Sequence, residues 1–386
     1  MKYLPELFSS LAKVDYPREA LEIILVDNAS SDNSIVWLKE NAPYATIIQN
    51  SLNYGFAKGN NIGMAEALKN GANYVYLLNQ DTIVSPNFIR EAVLVAESDA
   101  SIGAVQSFIH LHPETHLINS SGNKLHFLGF SYCGDYRKSA KEVYERLSNP
   151  HFFSPCFAPG EIGQPPLFSP CFAPGEIGGV SARGGSALGG RGGVNSVPIA
   201  TASGAAAMFK AVVLKEVGLF DEDLYLYHED VDLSLRVRLG GWRIVCALKS
   251  VIYHKYNFSR SITKYYWMER NRIIVWFKIL SYPTLALILP GVILAEIGLF
   301  LLSFYGGWWR EKLRVYSYFW YKNNWRIIFK KHSAIQAARK ISDKEIIKSF
   351  TDKIEFQEVD SWFVAKIANP LCGIYFRLVK FIIQYL

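Results

Sequence analysis

The sequence is short of cysteine, of charge and of any processing signal, and each shortage excludes something. Its five cysteines, Cys133, Cys156, Cys171, Cys246 and Cys372, show no CxxC pair and no metal-ligand spacing. Neither a disulfide framework nor a cysteine-held zinc is expected. Scattered cysteines in a chain whose first residues carry no apolar leader core or cleavage site read as reduced, hence cytoplasmic. Met1 to Ala12 instead shows one apolar face and reads as an amphipathic helix. Charged residues make up only 19% of the 386, and the net charge is a modest +7. No nucleic-acid module accompanies that charge, so no nucleic-acid partner is expected.

What the chain has is apolar and aromatic surface, 50% and 14% of its residues. Its basic residues are grouped. Lys249 to Lys278 holds seven Lys/Arg against one acid, and Arg310 to Lys331 repeats that ratio. Basic groups beside apolar runs suit an anionic membrane surface, and a solvated basic face is the alternative. Ile279–Tyr305 lies between the two groups with the single charge Glu296 and the prolines Pro283 and Pro290. A crossing needs about 20 apolar residues. Basic flanks on both sides, with Pro290-Gly291 in the middle, favour a helical hairpin that dips in and returns. Near the C-terminus, Leu371, Ile374, Tyr375, Leu378, Phe381, Ile382 and Tyr385 keep helical spacing. They suit either an interfacial helix or packing onto the protein's own core.

The first 110 residues alternate between strand and helix patterns. Strands are expected at Glu22–Val26, Ala45–Gln49, Tyr74–Leu78 and Ile102–Phe108. Helices are expected through Trp37 and Leu38, over Asn60–Lys69 and over Asn87–Glu97. That alternation argues a doubly wound α/β sheet. Ligands in such sheets sit beyond the carboxyl ends of the strands, where Asp27 and Asp81 both fall. Residues 150–197 break the pattern. FSPCFAPGEIG occurs at Phe153–Gly163 and again at Phe168–Gly178, and nine of the nineteen residues from Gly175 to Gly193 are glycine. This stretch reads as a low-complexity insertion, with a lid over the site as the sharper alternative.

Three groups of residues carry candidate chemistry. Asn79-Gln80-Asp81 places a carboxylate just past a buried strand, where a divalent ion fits, although turns favour Asp in any case. His228-Glu229-Asp230-Val231-Asp232 gathers three acids and a histidine at the head of a helical pattern; solvated helix-start acids are the plain alternative. Ser203-Gly204 enters the run Ala205–Phe209 as a tight backbone that permits close ligand approach.

Together these residues resemble family 2 glycosyltransferases, and in particular the rhamnosyltransferase-like branch, over roughly residues 4–275 apart from the insertion. Val26–Asp32 resembles that family's nucleotide-binding turn, which implies donor contacts from Asp27, Asn28 and Ser30. Asn53–Asn61 resembles the branch's second donor motif and adds Asn53, Gly55, Lys58 and Asn60. Asn79-Gln80-Asp81 stands in the place of a DxD signature. The resemblance gives the metal to Asp81 alone there, with Asn79 and Gln80 on the donor. Glu229-Asp230 resembles the acceptor-side pair, with Asp230 as general base and Glu229 as its support. Ser203, Gly204 and His228 fall on the acceptor and diphosphate side. His254 resembles a late histidine that helps hold the metal or diphosphate, with a structural strand-end histidine as the alternative. Arg270 resembles the first of a basic pair that meets phosphate.

The resemblance implies a GT-A-like mixed sheet over 1–272 followed by a membrane-associating helical region over 273–386. The expected activity is an inverting sugar transfer from a nucleotide diphosphate donor, assisted by Mg2+ or Mn2+. The acceptor would be a saccharide or lipid-linked hydroxyl at the cytoplasmic face of the cell membrane. A nucleotidyltransferase also binds nucleotide and metal on such a sheet, but leaves Glu229-Asp230 without a task. An inactive, membrane-bound binding protein is the second alternative. One departure stands out. The family opens with an apolar strand and a polar turn, whereas this chain begins in the helix that should follow them. The natural protein is therefore expected to start upstream of Met1.

Overall fold

The computed structural model describes residues 1–149, 195–256, 262–355, 362 and 364–385. The repeat at 153–178, and with it the lid reading, lies outside the described residues. Of the expected insertion, Ser196 and Val197 belong to a strand.

The N-terminal elements follow the expected alternation. Helix α1 (Leu4–Leu11) leads to strand β1 (Ile24–Asp27), α2 (Ser34–Asn41), β2 (Thr46–Gln49), α3 (Gly55–Lys69) and β3 (Tyr74–Leu78). Then come β4 (Thr82–Val84), α4 (Phe88–Glu97), β5 (Ile102–Leu111), β6 (Ile118–Ser120), β7 (Asn123–Leu125), β8 (Ser131–Cys133) and α5 (Ala140–Ser148). Helix α3 starts five residues earlier than its pattern suggests. Asn53 Oδ1 accepts the Gly55 amide at 2.9 Å and opens the helix there. The next described elements are β9 (Ser196–Pro198), β10 (Ala206–Lys210), α6 (Ala211–Val217), α7 (Glu229–Leu239) and β11 (Arg243–His254).

The strands form a mixed sheet in the order β3-β10-β5-β11-β4, with β6 beside β5 and β9 beside β11. Strand β10 runs antiparallel to both β3 and β5, while β11 runs parallel to β5. Strands β1 and β2 pair in parallel as a separate two-stranded sheet. One sheet was expected; the described chain has this break between β1 and β3.

Helices α8 (Ile262–Ile279), α9 (Tyr282–Tyr305), α10 (Trp309–Trp320), α11 (Lys322–Ala338), α12 (Asp343–Ile347) and α13 (Asn369–Ile383) complete the chain. The boundary expected at 272/273 falls inside α8. Ile274, Val275 and Ile279 pack into one core with Val231, Leu235 and Leu239 of α7 and with Phe376 of α13. A cut after Arg272 would remove part of that core.

The hairpin expected at Pro290-Gly291 is not formed. Helix α9 runs unbroken through 24 residues. Gly291 lets Tyr375 lie against it, and the Tyr375 hydroxyl donates to the Leu287 carbonyl in the turn before Pro290. Pro290 has no amide to offer the Ala286 carbonyl one turn back, and the Tyr375 hydroxyl supplies a donor to the adjoining carbonyl of Leu287. The midpoint of α9 is tied to the protein body. Glu296 meets Arg272 of α8 and, at 2.8 Å, Lys312 of α10; both cations also bind Glu269. Helix α13 does both things its pattern allowed: Phe376, Val379 and Ile383 are buried, while Leu371, Ile374, Leu378 and Phe381 are exposed.

Candidate active site

Strand ends bring the candidate residues together. Leu78, the last residue of β3, pairs with Ala206, the first of β10, and the Asn79 amide continues the ladder to the Ala205 carbonyl at 3.0 Å. Asn79-Gln80-Asp81 and Ser203-Gly204 therefore leave the sheet side by side. At the far side of the sheet, β11 ends on His254, which pairs with Thr82, directly after Asp81.

Asp81 and His254 face each other. Asp81 Oδ1 lies 3.2 Å from His254 Nε2, and His254 Nδ1 lies 3.1 Å from Asn119 Oδ1. When Nδ1 carries the proton it donates to the Asn119 oxygen, and the Nε2 lone pair is then turned towards the Asp81 carboxylate. A carboxylate oxygen and an imidazole nitrogen are both ordinary ligands of a divalent ion, so Asp81 and His254 are the residues that would hold one here. Among the described residues, no cluster of three or more His, Cys, Asp or Glu side chains gathers around a metal position. Two protein ligands would leave the remaining positions to water and phosphate oxygens. Asn119 gave no signal in the sequence.

The second group sits at the head of α7. Asp230 accepts the Gly204 amide at 3.1 Å and the Val231 amide at 2.8 Å. Burial raises its carboxyl above the ordinary range, and those backbone donors pull the other way. Glu229 is buried, and its Oε2 has no hydrogen-bond partner among the described residues. Burial first, and the neighbouring Asp230 charge second, push Glu229 well up. Asp232 points to another face, as helical spacing requires: it is fully buried against Lys278 at 2.6 Å and Arg236 at 2.9 Å. Asp232 is thus paired with cations in the core, whereas burial raises both Asp230 and Glu229, which makes those two the candidates for chemistry.

The segment before α7 is strained into place. Tyr225, Tyr227 and His228 all have φ between 62° and 66°. Asn271 Nδ2 lies 2.7–2.9 Å from the carbonyls of Leu224, Leu226 and Tyr227, which share its two hydrogens, and Arg270 donates to the Asp223 carbonyl at 2.6 Å. Arg270 is 5% exposed, is bonded to Asn271 Oδ1 and stacks on Trp267, so it braces this loop where a phosphate contact was expected. His228 likewise turns inward. Its Nε2 meets the Gly129 carbonyl at 3.2 Å, and burial pushes its pKa down to about 4, leaving it neutral. Asn271, adjacent to a residue that was singled out, carried no signal of this bracing role.

The donor-side residues divide. Asp27, Asn28, Ser30, Asn60, Asn79 and Gln80 line one cavity of about 1590 Å³, together with Asp81. Within it, both Asp27 oxygens accept the Ser30 amide at 3.2 Å, which shapes the turn after β1. Asn28 donates to the Gly55 carbonyl and accepts from Asn50, so it ties that turn to the start of α3. Gly55, with φ of +80°, is packed so closely under the Tyr225 ring that a Cβ there would overlap it. Asn53 and Gly55 thus build the helix start. Lys58 is placed otherwise than expected, over the Tyr54 ring at 4.5 Å and 3.9 Å from Glu222. Ser203 contributes backbone: its amide donates to Gln106 Oε1 at 2.8 Å.

With this arrangement in view, residues 1–159 match the model of glycosyl transferase family 2. The match covers 159 of the 386 residues. No curated protein matches the chain. Among solved structures, GalNAc-T7 with UDP, GalNAc and Mn2+ is 13% identical with a TM-score of 0.46; 72% of this chain and 45% of that one are covered. TarS of S. aureus, residues 1–349 with UDP-GlcNAc, is 14% identical with a TM-score of 0.46 over 98% and 84%. A mannosyltransferase of Pyrobaculum calidifontis with GDP-Man and Mn2+ is 14% identical with a TM-score of 0.44 over 87% and 82%. The chain thus spans less than half the length of the GalNAc-T7 structure.

Proposed function

We propose that the protein transfers a sugar from a nucleotide diphosphate donor to an acceptor hydroxyl with inversion, in the manner of the rhamnosyltransferase-like branch. The observation that carries this reading is the meeting of two unlike carboxylate groups at adjoining strand ends: Asp81 with His254, and Asp230 with Glu229. The nucleotide lies along Asp27, Asn28 and Ser30, with Asn60, Asn79 and Gln80 beside the sugar and diphosphate. Asp81 and His254 would hold the divalent ion, whose charge neutralises the departing diphosphate. Asp230 removes the acceptor proton as the acceptor oxygen bonds to the anomeric carbon and the bond to diphosphate breaks. One base and one displacement invert that carbon. Gly204 and Val231 amides aim the Asp230 carboxylate, and Glu229 keeps it in a poorly solvated setting. The test is a donor screen by product mass spectrometry, with membranes holding the full chain. A single nucleotide sugar should yield a product whose anomeric configuration is opposite to the donor's. Retained configuration would sink the one-base mechanism, and release of pyrophosphate from a nucleoside triphosphate and a sugar phosphate would favour a nucleotidyltransferase.

The acceptor belongs to cell-surface polysaccharide or glycolipid synthesis, and the enzyme sits on the cytoplasmic membrane face. The support is an exposed apolar surface: Ile293, Leu294, Ile297 and Leu301 of α9 are 52–69% exposed, and α13 adds Leu371 and Ile374. Large apolar patches of this kind are rare on soluble monomers. Helix α9 has the length and hydropathy of a membrane span. Its midpoint is tied to the protein body through Glu296, so a seat within one leaflet suits it better than a crossing. Changing Leu294 and Leu301 together to Glu should move the protein from the membrane pellet to the supernatant without detergent. If both forms stay in the pellet after a high-salt wash, or if the parent is already soluble, the seat is misplaced.

A further inference from the structure

We infer that the outer face of α11 binds the anionic headgroups of a lipid bilayer, which makes the membrane contact proposed for α9 selective for negatively charged lipid. The inference rests on that membrane reading and adds the chemistry of the surface it meets. The first observation is charge without partners. Lys322, Arg326 and Lys330 stand four residues apart, so they form one stripe along the helix. All three are exposed. Among the described residues none of them meets an acid, whereas Lys331, on the inward side, is held by Asp221 and Asp223 at 2.5 Å. Helix α11 has no acid of its own in 17 residues. Other surface cations differ: Arg314, Lys340 and Lys348 each pair with an acid at 2.6–2.9 Å.

The second observation is what borders the stripe. The inward face of α11 sends Trp325, Ile328 and Ile335 into the core that also holds Ile274 and Ile279 of α8. On the outer side Phe329, 37% exposed, lies against Tyr282 at the head of α9, with ring centroids 6.5 Å apart. Tyr282, Leu289, Ile293 and Ile297 recur seven, four and four residues apart, and all are 42–57% exposed. The apolar face of α9 therefore begins beside the basic stripe. Trp320 and Tyr321, 83% and 67% exposed, stand at the corner between α10 and α11. Apolar residues, then Trp and Tyr, then Lys and Arg is the order that suits a bilayer from acyl chains to phosphate.

These neighbours commit the stripe to a lipid surface. A nucleic acid or an acidic protein would satisfy the three cations, but neither accounts for an exposed Trp320 and an apolar helix face that starts at the same edge. A bilayer accounts for all of them at once. Each Lys or Arg near an anionic leaflet strengthens binding about fivefold, so three together give on the order of 100-fold. The two contacts also support each other. Once α9 is seated, the stripe is held at the headgroup layer, and its binding becomes an intramolecular event.

The experiment is flotation of the full chain with vesicles, and it needs no substrate. Neutral phosphatidylcholine vesicles are compared, in about 0.05 M salt, with vesicles in which about 30% of the lipid is phosphatidylglycerol. The protein should partition about 100-fold more strongly onto the anionic vesicles, and about 0.5 M salt should remove most of that preference. Lys322→Gln with Arg326→Gln and Lys330→Gln should remove most of it as well, and leave binding to neutral vesicles unchanged. Exchanging the same residues for the other cation, as Lys322→Arg, Arg326→Lys and Lys330→Arg, should keep it. Arg326→Gln alone should weaken binding to anionic vesicles about fivefold, a readout that stands even if the triple form folds badly. Leu294→Gln with Leu301→Gln should weaken binding to both vesicle types by the same factor. If that pair changes neither, the seat on α9 is wrong while the stripe stands. Equal binding of the parent to both vesicle types would overturn the proposal. So would a triple glutamine form that keeps the anionic preference, or RNA that displaces the anionic vesicles from the same three residues.

Discussion

Asp230→Asn should lower turnover by about 10²–10⁴ while the donor dissociation constant stays within about twofold. Asparagine keeps the size of the side chain but cannot take a proton. It can still accept one of the two amides, from Gly204 or Val231, that now converge on the carboxylate. The donor cavity is lined by other residues, so nucleotide binding measured by calorimetry should be nearly unchanged. A rise in that constant together with the lost rate would move Asp230 to the donor side. The pH behaviour follows from the same burial. Asp230 sits above the ordinary carboxylate range, so the rate should climb through an apparent pKa higher than that of a free Asp. Stability runs the opposite way. A buried acid raised in the folded state favours folding at low pH, and that contribution is lost as pH rises through its folded value. Glu229 is raised further by the Asp230 charge. Glu229→Gln should therefore raise the melting temperature more at pH 8 than at pH 5, and activity should fall because Asp230 loses its setting. A melting temperature that drops equally at both pH values would mean that Glu229 is needed for packing alone.

How much of this was legible in the sequence depended on how local each cause is. Strand β3 was readable to the residue, because Tyr-Val-Tyr-Leu-Leu is a short apolar run bounded by turn residues. Helix α3 was misread at its start: Asn53 opens it locally, and the contacts that hold that turn come from far along the chain, where Tyr225 packs on Gly55 and takes the Ala57 amide on its carbonyl. Asp81 and His254 were legible as strand-end residues, yet their third partner, Asn119, comes from β6, a three-residue strand with no pattern of its own. Arg270 was singled out for its charge, and charge alone does not reveal that aromatic rings and carbonyls surround it. The α8–α10 knot explains the hairpin error in the same way. Glu296 looked like a lone charge in an apolar run, and only packing shows Arg272 and Lys312 waiting for it.

Asp81→Ala should abolish most turnover, by at least about 10³-fold, and chelation of divalent ions should do the same to the parent protein. The magnitude comes from the charge that a metal neutralises on a leaving diphosphate, worth several kcal/mol at about 1.36 kcal/mol per tenfold. Loss of rate alone would not separate a metal ligand from a residue that merely orients His254, since the two are 3.2 Å apart. Metal binding itself separates them. As the proposed ligands, Asp81 and His254 would offer one full negative charge, and Asn79 stands where a second acid would add another. Such a sparse set should bind Mn2+ weakly alone, with a dissociation constant on the order of millimolar, because affinity follows ligand charge and number. A nucleoside diphosphate would supply the missing oxygens, so Mn2+ should bind about 100-fold more tightly in its presence. By linkage, Mn2+ must tighten nucleotide binding by the same factor. Calorimetric titrations in both orders measure the two factors independently. In Asp81→Asn the Nε2 contact can persist through an amide, so His254 stays oriented, but the mutual tightening should vanish. If Asp81→Asn keeps that tightening, or the parent binds Mn2+ firmly without nucleotide, the ion lies elsewhere. Full turnover in excess chelator would remove the metal from the mechanism and leave His254 and Asp81 as a structural pair.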